Sequence, residues 1–159
     1  MKSTLLCLIL LPVAASIPTA SAQSFFGRNL IVNPGAEDGA AAPSTFIIRP
    51  IPGWIASGNF TVQPYGDPGG FPTLSSPGPP NRGTKFFSGG PNNASSLAYQ
   101  VIQVPSDAFT AIDAGTVRYD LSAWLGGVTI QDDNANLKVF FISVSDATLG
   151  SLLIGPVLA

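Results

Sequence analysis

The chain has 159 residues, a net charge of −2 and few charged side chains, 10% of the total. That length suits one domain. No basic stripe is available to neutralise phosphates, which excludes nucleic acid as a natural partner. There is no histidine and only one cysteine, which removes Ser-His-Asp and Cys-His catalysis and the common zinc sites. With 45% hydrophobic residues the chain is too apolar to read as disordered.

The first segment reads as an export signal. Lys2 is the only charge before Arg28, Leu5 to Ala15 is an almost unbroken apolar run, and Ala20-Ser21-Ala22 is a small-residue cleavage site. The run falls short of the roughly 20 residues a bilayer span needs. Residues 1–22 are therefore expected to leave as a signal peptide, with Gln23 opening a secreted, extracellular domain over 23–159. Cys7 departs with the leader, so the mature domain must hold together by packing without disulfides.

In the mature part, short apolar runs alternate with Gly/Pro/Asn/Asp turns. The predicted strands are Leu30–Val32, Ser44–Ile48, Gly58–Tyr65, Thr84–Ser88, Ala98–Val104, Gly115–Leu125, Asn136–Val144 and Leu149–Ile154. Val117, Tyr119, Leu121 and Ala123 alternate with Arg118, Asp120 and Ser122; Leu137, Val139 and Phe141 alternate about Lys138. One short helix is predicted after Pro105, with Ser106 as N-cap, Phe109 and Ile112 on one face, and Gly115 as the left-handed stop. The fold class expected is all-β, an antiparallel β-sandwich or jelly roll with one short helix. The longest irregular stretch, Gly66 to Gly83, is rich in proline and glycine. Loops of that length are either functional or simply solvated connections.

Several motifs in chain order resemble one family. They are Asn29-Leu30-Ile31-Val32-Asn33-Pro34-Gly35-Ala36-Glu37, then Pro52-Gly53-Trp54, Gly58-Asn59-Phe60-Thr61-Val62 and Arg82-Gly83-Thr84-Lys85-Phe86-Phe87. Tyr99-Gln100-Val101-Ile102-Gln103-Val104, Tyr119-Asp120-Leu121-Ser122-Ala123-Trp124-Leu125-Gly126 and Gln131-Asp132-Asp133-Asn134-Ala135 complete the series. Together they resemble the galactose-binding-domain-like jelly rolls, a group that includes many carbohydrate-binding modules and bacterial secreted members. The opening motif is moderately specific; the others gain weight from order and spacing. Members usually continue one or two strands beyond the point matching Ala159, so the resemblance implies a domain lacking its last strand or strands.

The resemblance implies a non-catalytic binding module for a glycan or cell-surface polysaccharide. It also implies a structural calcium at Glu37, with Asp38 beside it and backbone carbonyls around it. The alternative for Glu37 is a carboxylate hydrogen-bonded to backbone amides. Sugar recognition uses an aromatic face and a few polar groups. Trp54, Tyr65, Tyr99 and Trp124 are the aromatic candidates, and Arg82, Gln100, Arg118 and Asn134 the polar ones. Taken singly each aromatic reads first as a core residue, and only the set points to sugar binding. The other aspartates, Asp120 excepted, sit beside turn residues, which reads as capping; Asp120 falls mid-strand. Catalysis by a carboxylate pair therefore finds no support. Asn59-Phe60-Thr61 and Asn93-Ala94-Ser95 match N-glycosylation sequons. The competing reading is a structural or adhesive surface protein that uses the same fold for protein–protein contact.

Overall fold

A computed structural model describes residues 24–44, 47–127 and 132–158. The signal-peptide reading of residues 1–22 lies outside the described residues. The regular elements of the described chain are mostly strands, with one short helix, an all-β arrangement built from small antiparallel sheets. The strands are β1 (Ile55–Ser57), β2 (Thr61–Pro64), β3 (Lys85–Ser88), β4 (Leu97–Tyr99), β5 (Asn134–Ile142) and β6 (Thr148–Leu158). They pair as β1–β4, β2–β3 and β5–β6.

The β2–β3 pair carries the core. Thr61, Val62 and Gln63 are all buried, so β2 is covered on both faces. Val62 packs with Ala36 and Ile51, and Ala41, Trp54, Phe60 and Phe87 surround that group. The segment before β2 returns along its second edge. Ala42 N–H donates to the Val62 carbonyl (2.8 Å), and Arg49 N–H donates to Thr61 Oγ1 (2.9 Å). The first of these satisfies a buried backbone carbonyl on that edge. Aromatic pairs close the layer: Trp54 meets Phe87 edge to face at 5.0 Å, and Phe60 lies 6.0 Å from Phe87.

The helix forms where predicted but starts differently. A 3₁₀ turn, Ser106–Ala108, leads into α1 (Phe109–Asp113). Pro105, not Ser106, holds the cap position, and no side chain caps it. Proline suits that place because its φ of −73° is already set and it has no N–H to leave unpaired. The C-terminus follows the prediction. Gly115 has φ +68°, its N–H donates to the Ile112 carbonyl, and Thr116 N–H donates to the Ala111 carbonyl. That pair of bonds is a Schellman motif, which needs a left-handed residue.

Two predicted strands are absent from the sheets. Residues 115–125 form no ladder, so Asp120 and Arg118 stand outside any strand. Alternation supplies a suitable face, but a strand also needs a neighbour for its backbone, and none pairs here. Tyr119 still reaches β5 by stacking 5.0 Å from Phe141. Leu30–Val32 is the second case. The Gln100 side chain imitates a strand partner, with Val32 N–H donating to Oε1 (3.0 Å) and Nε2 donating to the Val32 carbonyl (2.6 Å). Without these two strands the sheets do not join, and among the described residues no closed sandwich forms. Of Ser44–Ile48, residues 45 and 46 lie outside the described residues, and 47–48 are not strand. The strand predicted over Ala98–Val104 is confined to Leu97–Tyr99.

β5 and β6 are longer than the other strands and pair with each other, with register shifts at Ala135/Leu137 and Phe141/Ile142. Ser143–Ala147 turns the chain, with Ser143 N–H donating to the Ala147 carbonyl (2.8 Å). Large apolar side chains remain exposed there, including Phe140, Ile142, Val144, Leu149, Leu153 and Leu158.

Stability should therefore concentrate around β2. Ile51→Ala removes a side chain that is 4% exposed and should cost about 2–4 kcal/mol in chemical denaturation. Leu149→Ser, at 73% exposure, should change it by less than about 0.5 kcal/mol.

Candidate functional site

Two clusters of side chains stand out, and both involve the opening of β3. The first lies at the long loop. Tyr65 directly follows β2, and its N–H donates to the Thr84 carbonyl (3.0 Å), which extends the β2–β3 ladder by one step. The ladder thus places Tyr65 beside Phe86, ring centroids 5.0 Å apart, and Phe71 lies 5.9 Å from Phe86. The Arg82 guanidinium lies over the Tyr65 ring, its carbon 5.6 Å from the centroid. Such a cation over an aromatic face is attracted by the ring quadrupole. The loop is internally tied: Gly66 N–H donates to the Pro72 carbonyl (2.8 Å), and Arg82 Nε donates to the Pro79 carbonyl (3.2 Å). Two enclosed polar atoms of this loop region, Arg82 Nη1 and Asp67 Oδ2, make no hydrogen bond within the protein.

Sequence reasoning singled out Tyr65 and Arg82 but missed Phe71 and Phe86. The signal for Phe86 was present. Phe86 and Phe87 are adjacent on a strand, so they face opposite ways; Phe87 packs on the core, which sends Phe86 to the loop side. No comparable signal marks Phe71.

The second cluster centres on Glu37. Its carboxylate accepts from Thr84 N–H (2.9 Å) and Lys85 N–H (2.8 Å) at Oε1, and from Thr84 Oγ1 (2.9 Å) at Oε2. Lys85 Nζ donates in return to the Glu37 and Gly39 carbonyls, both at 2.7 Å. Asn33, 8% exposed, braces the turn: Asp38 N–H donates to its Oδ1 (3.0 Å), and its Nδ2 donates to the Pro52 carbonyl (3.1 Å). A Cβ at position 83 would collide with the Glu37 carboxylate, so a larger residue there must displace it.

A calcium ion at Glu37 would draw on the same carboxylate and neighbouring carbonyls. Here the carboxylate already accepts three hydrogen bonds, and an ammonium occupies two of the carbonyls. The arrangement does not fit a divalent ion while Lys85 keeps this position. Among the described residues no group of three or more His, Cys, Asp or Glu is placed to hold a metal.

The remaining candidates are not gathered into one place. Trp54 belongs to the core margin, and its Nε1–H donates to the Asn33 carbonyl (3.2 Å), so its polar edge serves packing. Tyr99 ends β4, opposite Ile55, and is 47% exposed. Trp124 lies in the unpaired segment and is 65% exposed. Arg118 lines a surface depression with Phe26, Gly27, Ala111, Thr116 and Val117. Gln100 is committed to Val32, and Asn134 opens β5 at the surface. Both sequon asparagines are committed as well. Asn59 Nδ2 donates to the Pro91 carbonyl (2.6 Å), and Asn93 Oδ1 accepts from Asn59 N–H (2.9 Å).

Comparison with protein families, curated proteins and solved structures finds no match to this chain. Among the described residues no helix is long and apolar enough to cross a membrane.

The Glu37 cluster makes a direct prediction. Glu37→Ala should lower unfolding free energy by about 0.5–1.5 kcal/mol, the net worth of solvent-exposed hydrogen bonds whose amides water can still satisfy. Gly83→Ala should act through the same contact by displacing that carboxylate. In a double-mutant cycle read by urea denaturation, the two losses should overlap and not add.

Proposed function

We propose that this chain is an exported, non-catalytic binding module whose ligand is a glycan or other polyhydroxylated surface polymer, held at the Gly66–Gly83 loop. The observation that carries this reading is the Arg82 guanidinium over Tyr65, beside Phe86 and Phe71. The guanidinium that covers Tyr65 supplies fixed hydrogen-bond donors beside the Phe71 and Phe86 rings, and sugar recognition uses polar donors placed next to aromatic side chains. Arg82 Nη1 and Asp67 Oδ2 add to it. An enclosed polar atom without a partner costs about 1–3 kcal/mol, so a ligand whose hydroxyls reach both atoms as the loop shifts would relieve that cost. The order of motifs resembling galactose-binding-domain-like jelly rolls supports the same class of ligand. The closed sandwich of that family is part of this proposal, as are secretion after cleavage at Ala22 and the lack of enzymatic activity.

A second reading has its own observation. The β5–β6 hairpin exposes many large apolar side chains, Val144 at 99% and Leu149 at 73% among them, and apolar patches of this kind mark protein contacts. A structural or adhesive role would use that hairpin and leave the loop idle.

Binding of the full chain to a panel of immobilised polysaccharides separates the two. The glycan reading expects saturable binding to at least one of them. Tyr65→Ala or Arg82→Met should then weaken binding at least tenfold, about 1.4 kcal/mol. Trp124→Ala and Tyr99→Ala should change it far less. Wild-type affinity in both loop variants would sink the assignment. Self-association that sugars do not compete, lost on Leu149→Ser, would favour the adhesive role.

A further inference from the structure

We infer that Lys85 is a built-in cation: its ammonium closes the 33–39 turn in the way a bound metal would, and makes the domain independent of calcium. The inference rests on the Glu37 cluster and stands apart from the ligand reading.

The turn collects oxygen atoms. The Glu37 and Gly39 carbonyls converge on one point, and the Glu37 and Asp38 carboxylates belong to the same turn. Converging carbonyls repel one another unless a positive charge lies between them. Lys85 supplies that charge, with Nζ 2.7 Å from both oxygens, the short end of the range for charge-assisted hydrogen bonds. A lysine ammonium is a compact point charge with three donors, which suits a small oxygen cage.

The lysine is placed by the sheet. It is the first residue of β3, and its backbone is held on both sides, opposite Pro64 in the ladder and by its N–H on Glu37 Oε1. The residue as a whole is partly buried. Calcium–oxygen distances run to about 2.3–2.6 Å, and the ion needs six or more oxygens. It cannot share those carbonyls with an ammonium at 2.7 Å. Lysine and calcium are therefore mutually exclusive occupants of this turn.

Thermal unfolding of the full chain in EDTA and in millimolar calcium tests this. Wild type should give the same Tm in both, and calorimetric titration of calcium into it should give no binding heat. Lys85→Met keeps the apolar stem and removes the charge. It should lower Tm by about 5 °C in EDTA. A wild-type Tm that rises with calcium would overturn the inference. So would a Lys85→Met protein with wild-type stability. The wild-type measurements decide the matter alone should Lys85→Met fail to fold.

Discussion

Glu37 and Lys85 hold each other by exchange. The carboxylate of Glu37 takes the backbone N–H of Lys85, and the ammonium of Lys85 takes the backbone carbonyl of Glu37. The two residues are 48 positions apart, so one reciprocal contact fixes the first turn of the domain against the start of β3. Much else depends on where β3 begins. Its register with β2 puts Phe87 on the core and Phe86 at the loop, and it sets the end of the loop that carries Arg82. The contact also does in a disulfide-free domain what a cross-link does elsewhere, joining distant chain segments near the core. The core it joins is small, with Ala36, Ile51 and Val62 at its centre, which leaves polar clips a larger share of the work.

The same logic recurs in smaller form. Side-chain amides repeatedly stand in for strand partners: Gln100 on Val32, Asn33 on the Asp38 and Pro52 backbone, Asn59 and Asn93 on the corner between β1 and β2. A chain with few charges and many Asn, Gln, Ser and Thr can do this cheaply, since amides and hydroxyls donate and accept without the desolvation cost of an ion. These clips replace sheet ladders, which explains how the domain covers its core with such short strands in β1 to β4.

How far this was legible in the sequence depends on which physical rule governed each element. β3, β5 and β6 were readable because their apolar runs are bounded by turn residues and each has an adjacent partner. The helix stop at Gly115 was readable because a left-handed position demands glycine. Residues 115–125 misled, because alternation reports a two-faced segment and says nothing about whether a neighbouring backbone exists to pair with it. Leu30–Val32 misled for a related reason: a glutamine 68 residues away supplied the partner, and no local pattern signals that. At the site, Tyr65 and Arg82 were legible from the loop that joins them. Glu37 was legible as a position, while its partner was not. Lys85 carried no role beyond its place in the predicted Thr84–Ser88 strand, and only the fold shows that its ammonium faces the Glu37 turn. Trp54 was drawn toward ligand binding by its residue type alone, and packing claimed it.

The two sequon asparagines carry a consequence for how the chain is made. Attachment of an oligosaccharide replaces one of the two hydrogens on Nδ2, and in the folded corner that nitrogen donates to the Pro91 carbonyl in Asn59 and to the Gly89 and Gly90 carbonyls in Asn93. The transferase and the fold therefore compete for the same atoms. In a cell that glycosylates proteins during export, sugar occupancy at these positions would work as a stopwatch: each modified chain is one that met the enzyme before the corner shut, and the unmodified fraction records how quickly the rest had closed.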